Sequence, residues 1–144
     1  MNEKWKEFLK AVEKKCPQTH IYTQPEECLI YSHGCYPREY KWLLKGDYPY
    51  LTRAVVSPAD EAEISEIVKL ANEYEVSIIP YGGGSGIVGG TIPYQGEIMI
   101  DVKRLQDFSI NIVNGTARGG AGLTGAEFEN LLNEHGYTAG QYPQ

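Results

Sequence analysis

The run Val76-Ser77-Ile78-Ile79-Pro80-Tyr81-Gly82-Gly83-Gly84-Ser85-Gly86-Ile87-Val88-Gly89-Gly90 constrains this chain more than any other stretch, because a short apolar segment empties directly into clustered glycines. Glycine has no Cβ to hold a ligand away and tolerates positive φ, so neighbouring glycines let several backbone N–H groups converge on one phosphate-like charge. A strand leading in fixes where such a loop starts. The stretch therefore reads as an anion loop behind a strand, and its flanks decide which kind.

Gly84-Ser85-Gly86-Ile87-Val88-Gly89 satisfies the dinucleotide fingerprint G-x-G-x-x-G, but that motif works only where a helix opens at the loop and aims its N-terminus at the pyrophosphate. The next residues, Gly90-Thr91-Ile92-Pro93-Tyr94-Gln95-Gly96, carry a proline and glycines and no apolar stripe, so no helix is expected there. Gly84 and Gly89 also have the G-x-x-x-x-G spacing of a Walker A loop, yet Gly90 stands where the phosphate-neutralising lysine belongs. A kinase or ATPase is disfavoured on that ground.

Pro80 to Gly90 resembles a third loop, the pyrophosphate loop of the FAD-linked oxidase family, the group with the flavin-binding fold of vanillyl-alcohol oxidase and p-cresol methylhydroxylase. The resemblance extends over about residues 25 to 144. Its landmarks, in family order, are Glu27-Cys28-Leu29-Ile30-Tyr31-Ser32, Ser57-Pro58-Ala59-Asp60-Glu61, Asp101-Val102-Lys103-Arg104-Leu105 and Ala121-Gly122-Leu123-Thr124-Gly125. An ordered set of motifs is far more specific than one glycine loop.

The resemblance implies an FAD-binding part of a flavin-dependent oxidoreductase, similar to glycolate oxidase subunits and D-lactate dehydrogenases and so acting on a small 2-hydroxy acid. An alternative is a transferase similar to alkyldihydroxyacetonephosphate synthase, to which Ala71-Asn72-Glu73-Tyr74, Ile78-Ile79-Pro80 and Gly122-Leu123-Thr124-Gly125 are alike. A nucleotide-binding module without catalysis is a further alternative. The implied cofactor contacts are Tyr81, Gly82, Gly83, Gly84, Ser85, Gly86, Ile87, Gly89 and Gly122, with backbone N–H groups and the Ser85 hydroxyl around the pyrophosphate. Gly120, Ala121, Gly122 and Leu123 face the adenine side by analogy, or serve packing. Several members of the wider group bond the flavin covalently through a histidine in this loop. Here His20, His33 and His135 all lie elsewhere, which implies noncovalent FAD. The family also places a second flavin-contacting stretch and a substrate or cap domain further along, so the sequence is expected to be the amino-terminal part of a longer enzyme, inactive by itself.

The composition excludes other classes. With 13 basic against 19 acidic residues the net charge is −6, and the basic residues are scattered, so nucleic acid is not an expected partner. No apolar run reaches membrane-spanning length and the first residues have no signal-peptide core, so the expected location is the cytoplasm. A homo-oligomer remains open. Cys16, Cys28 and Cys35 are odd in number and lack C-x-x-C spacing, which argues for free thiols. Cys28, His33 and Cys35 also lack the paired short spacing of zinc ligands, so no metal is expected. Tyr31 and His33 read either as acid–base candidates or as half-buried structural groups, and no catalytic residue is assigned.

The expected fold class is α+β, a small βαβ-containing sheet flanked by helices, forming the first part of a PCMH-type FAD-binding domain over residues 51–144 behind a helical and irregular segment over 1–50. Trp5, Phe8, Leu9 and Val12 follow helical spacing. Thr23-Gln24-Pro25-Glu26 reads as a capping box opening a short helix, and 32–50 as mostly irregular with a turn of helix at Glu39 to Leu44. Arg53 to Val56 is a strand, and Ser57-Pro58-Ala59-Asp60 caps a helix through Ile64, Ile67, Val68 and Ala71. Val76 to Pro80 returns as a parallel strand, making a right-handed βαβ unit. Further strands are expected over 97–101 and 107–113, with an Asn114-Gly115 hairpin turn, a return strand over 116–121, and a helix capped by Thr124 and closed by Gly136. The chain then ends in a glycine-proline loop.

Overall fold

The computed structural model describes residues 3–141; of the terminal loop read from Gly136 onward, 142–144 lie outside the described residues. Helix α1 (Lys4–Lys15) forms on the expected spacing and buries Phe8, Leu9 and Val12. Strand β1 (His20–Tyr22) was not expected, being too short and too exposed for an alternating pattern to register. Helix α2 (Pro25–Tyr31) starts one residue later than the capping-box reading: Gln24 is the N-cap, and its N–H donates to the Glu27 carboxylate at 3.2 Å. Helix α3 (Pro37–Lys45) is a full helix where only a turn was expected. Pro37 begins it and Gly46, at φ 65°, closes it, an asymmetry that the surrounding tyrosines and glycines obscured.

Strand β2 (Val55–Ser57) and helix α4 (Glu61–Glu73) follow. The helix cap is Asp60, whose carboxylate accepts from the Glu63 N–H at 2.8 Å, rather than Ser57. Ser57 is committed to the strand: it pairs with His20, and its carbonyl accepts from Arg104 at 2.8 Å. Strand β3 (Ile78–Tyr81) leads into the glycine loop and strand β4 (Ile98–Asp101) leaves it.

These strands form a four-stranded sheet in the order β1-β2-β4-β3, with β2, β4 and β3 parallel and β1 antiparallel to β2. The strands before and after α4 are therefore parallel, as expected, but not neighbours, because β4 lies between them. The physical reason is composition. All four residues of β4 are buried, which suits the middle of the sheet, whereas β3 contains Pro80, which cannot donate to a ladder and is tolerated at an edge. The core lies between this sheet and helices α1 and α4, where Phe8, Val12, Val56, Ile67 and Ile98 are fully buried and Leu70 nearly so.

A separate antiparallel ribbon, β5 (Phe108–Asn111) and β6 (Thr116–Gly119), carries helix α5 (Gly125–Asn133) against it. The hairpin connection is the four-residue span 112–115 rather than a two-residue turn, because the Asn111 side chain turns the chain early by accepting from the N–H groups of Val113 and Asn114 at 3.1 and 3.3 Å. Helix α5 keeps its expected cap: Glu127 reaches back to the Thr124 N–H at 2.7 Å. Among the described residues no helix is long and apolar enough to cross a membrane.

Candidate functional site

In an open parallel sheet, ligands bind beyond the carboxyl ends of the strands. Here those ends are Tyr81 of β3 and Asp101 of β4, paired side by side in the ladder. The glycine loop grows from the first and Val102 to Leu105 from the second. No helix forms between Gly82 and Glu97, so the helix N-terminus that a Rossmann site needs is missing from this position.

The loop's glycines serve different purposes. Gly84 has φ 68°, and a Cβ there would lie 2.2 Å from the Tyr81 phenol oxygen, so the protein itself requires glycine. Gly89, buried at φ 78° between Ile92 and Tyr36, is likewise needed for chain reversal. At Gly82, Gly83 and Gly86 an added Cβ would meet nothing within 4 Å and φ lies outside the left-handed region. Nothing in the chain demands glycine at these positions. At Gly82 and Gly83 the backbone is open to approach from outside.

That approach is through an open groove of about 590 Å³. Gly82, Gly83 and Ser85 form one wall; Ala121, Gly122, Leu123, Thr124 and Gly125 form the facing one, with Lys103 and Gln106 also lining it. The second wall stays close because Gly122 has no side chain: a Cβ would lie 2.4 Å from the Val102 carbonyl, and the Gly122 N–H donates to Leu105 O at 2.8 Å. Gly120 packs in the same way on Leu105 and Asp107. Their glycine identity is thus accounted for by backbone packing, while Ala121 and Leu123 face the groove. The first turn of α5 opens at this wall, which adds the positive end of a helix dipole.

Lys103 is the cation among the residues lining the groove, and the sequence reading gave it no role. Its ammonium lies 3.5 Å from Asp101 Oδ1, 4.3 Å from the Tyr31 ring centroid and 5.1 Å from that of Tyr81. Asp101 is buried; it also accepts from the Tyr31 hydroxyl at 2.8 Å and from the Lys103 N–H at 3.1 Å. Burial, followed by the hydrogen bond to Asp101, pushes the Tyr31 phenol well above its ordinary value, and burial does the same for Tyr81. Tyr31 is therefore a poor proton donor or acceptor near neutral pH and a good fixed support. His33 offers the site its backbone carbonyl, which accepts from the Tyr81 hydroxyl at 3.2 Å. Ile87 is exposed on the far limb of the loop, outside the groove wall. The three cysteines are free, Cys16 and Cys28 buried and Cys35 exposed. Lys103 had one legible signal, a cation two residues past the end of a strand parallel to the one that carries the anion loop.

The family model described as an FAD binding domain matches residues 52–144 of this chain, which contain both groove walls. The chain belongs to this FAD-binding family. Its cofactor is FAD, and the open faces of Gly82, Gly83 and Gly86 fit a group that packs directly on backbone. A D-lactate dehydrogenase of Archaeoglobus fulgidus is 30% identical over 89 residues, covering 62% of this chain and 20% of that protein. A solved alkyldihydroxyacetonephosphate synthase superposes with a TM-score of 0.86 at 27% identity, over 96% of this chain and 26% of that one. A p-cresol methylhydroxylase structure matches with a TM-score of 0.73 at 14% identity and speaks for the fold, the PCMH-type FAD-binding architecture. The chain thus spans about a fifth of the D-lactate dehydrogenase and a quarter of the two solved proteins.

Proposed function

We propose that the groove between the glycine loop and the 121–125 turn holds the diphosphate of FAD, noncovalently, and that the chain is the FAD-binding part of a flavin-dependent oxidoreductase acting on a small 2-hydroxy acid. The observation that carries the binding site is the open face of Gly82, Gly83 and Gly86, where no neighbouring atom of the protein explains the missing side chains. Bound FAD supplies a hydride-accepting ring. The residues of this chain bind and orient. The loop N–H groups and the Ser85 hydroxyl donate to phosphate oxygens, Lys103 offsets their charge, and the positive end of α5 adds to it. The Tyr81 phenol leaves no room for a side chain at Gly84.

Noncovalent attachment is supported by the position of the histidines: none lies in the 82–90 loop, and the neighbouring His33 contributes its main chain to Tyr81. The hydroxy-acid substrate is supported by the likeness to a D-lactate dehydrogenase. A synthase reading has its own support in the TM-score of 0.86 to an alkyldihydroxyacetonephosphate synthase.

The binding site is tested by Gly83→Val. Its branched side chain has room in the empty protein and none beside a diphosphate, so the purified variant is expected to keep its fold and lose most of its flavin. Flavin content equal to wild type would remove the loop from the site. Reduction of an artificial acceptor with D-lactate or glycolate, against formation of alkyldihydroxyacetonephosphate, separates the two activities.

A further inference from the structure

Against the glycine loop, outside the lining of the groove, runs a strap of three residues, His33, Gly34 and Cys35. It is joined to the loop at several points. The Cys35 N–H donates to Gly86 O at 3.3 Å, and the Tyr81 hydroxyl donates to His33 O at 3.2 Å. Gly34 presses its bare backbone against the loop: a Cβ there would lie 2.8 Å from Thr91 Oγ1, 3.1 Å from Gly84 O and 3.4 Å from Gly86 O. The strap therefore touches the loop on both sides of Ser85.

What holds the strap is a buried acid. Glu39, on α3, is only 3% exposed, and its Oε2 accepts from the Gly34 N–H at 2.7 Å. Its Oε1 is buried with no hydrogen-bond partner among the described residues. A carboxylate taken out of water to make one hydrogen bond costs stability that an apolar side chain at the same place would not. The arrangement makes sense if the bond to Gly34 matters more than the stability lost.

We propose that Glu39 is a positioning residue for the FAD-binding loop: through Gly34 it sets the height of the strap, and the strap sets how far the backbone of Gly84 to Gly86 stands out into the groove. Residues 33–39 precede the span matched by the family model, so this support lies outside the segment that defines the family. The inference rests on the reading of the loop as the diphosphate cradle.

The test is FAD affinity, read by flavin fluorescence on purified protein freed of cofactor, alongside the melting curve of each cofactor-free variant. Glu39→Ala is expected to weaken FAD by about tenfold, the size of one lost hydrogen bond, whereas Glu39→Gln, whose amide oxygen accepts the same N–H, stays within about threefold of wild type. Gly34→Ala leaves Glu39 in place but pushes a methyl group toward Thr91 and the loop carbonyls, and it too weakens FAD by about tenfold. It decides the matter if Glu39→Ala does not fold. A role confined to stability would lower the melting temperature of Glu39→Ala and leave the affinity of the folded protein unchanged, which overturns the proposal. So does a Glu39→Gln variant as weak as Glu39→Ala, or a Gly34→Ala variant that binds like wild type. Gly83→Val separates the two levels: if it alone weakens FAD, the strap fails and the loop stands, and if it binds normally the loop reading itself fails.

Discussion

The two halves of this molecule are built on different physical terms. Around β4 every residue of the strand is buried, and α1 and α4 close over one face with side chains that exclude water almost completely. In the ribbon that carries the far wall of the groove, all four residues of β6 are exposed and α5 buries little beyond Glu129 and Leu132. The first half is held by packing. The second is held by turns, caps and backbone contacts through glycine, and it supplies one wall of the groove, the other coming from the loop that follows β3. A binding groove needs open backbone, and open backbone is obtained only where a core is not being made. The sheet supplies the fixed ends, Tyr81 and Asp101, from which the open loops are hung.

Truncations in the two halves should differ most. Ile98→Ala, in the fully buried central strand, is expected to destabilise by about 2–5 kcal/mol, whereas Val113→Ala at the exposed hairpin tip should fall within about 0.5 kcal/mol of wild type. Denaturant titration of both variants measures it, and equal losses would mean that the ribbon is packed as tightly as the sheet.

A smaller effect is expected at the junction. Tyr31→Phe removes the hydroxyl that donates to buried Asp101 and should cost about 1–2 kcal/mol. The same contact gives a pH signature. The folded state raises the Tyr31 phenol above its ordinary value of 10.0, so the stabilisation is complete below that pH and is lost as the solution becomes more alkaline and the folded phenol ionises. Phenolate absorbance should show late-titrating tyrosine, Tyr31 with Tyr81, and Tyr31→Phe should remove part of that late component. Its persistence at full size would place the perturbed phenols elsewhere.

Lys103→Met sharpens the comparison from the ligand side. Because the ammonium is partly exposed, its loss should weaken FAD by only about threefold, with little effect on the cofactor-free melting curve, and the difference should shrink at high salt. A salt-independent loss would point to packing by the lysine stem instead.

The packed half was the more legible in the sequence. The helical stripe from Trp5 to Val12, the stripe of α4 and the apolar run of β4 each carry their period in plain view, and the family resemblance is carried by the loop at 80–90 together with the ordered motifs around it. What escaped was whatever depended on pairing between distant segments. β1 is too short to show a period, and the insertion of β4 between β2 and β3 is decided by Pro80 and by relative burial. At the site, the glycines read alike in the sequence yet separate in space into those the protein requires, Gly84 and Gly89, and those with open space where a side chain would stand, of which Gly82 and Gly83 line the groove. Gly122 belongs with the backbone contacts that bring the second wall near. Lys103 and Glu39 reach the site through folding of the chain around it, which no local motif records.

The central claim, that FAD seats on open backbone between the glycine loop and the 121–125 turn while the packed half stays as it is, is tested most directly by amide hydrogen exchange with and without FAD. The account predicts slowed exchange confined to residues 82–86 and 121–125 on adding FAD, with β2, β4 and α4 already protected and unchanged. Protection that appears elsewhere in the chain and leaves 82–86 exchanging as in the cofactor-free protein would contradict it.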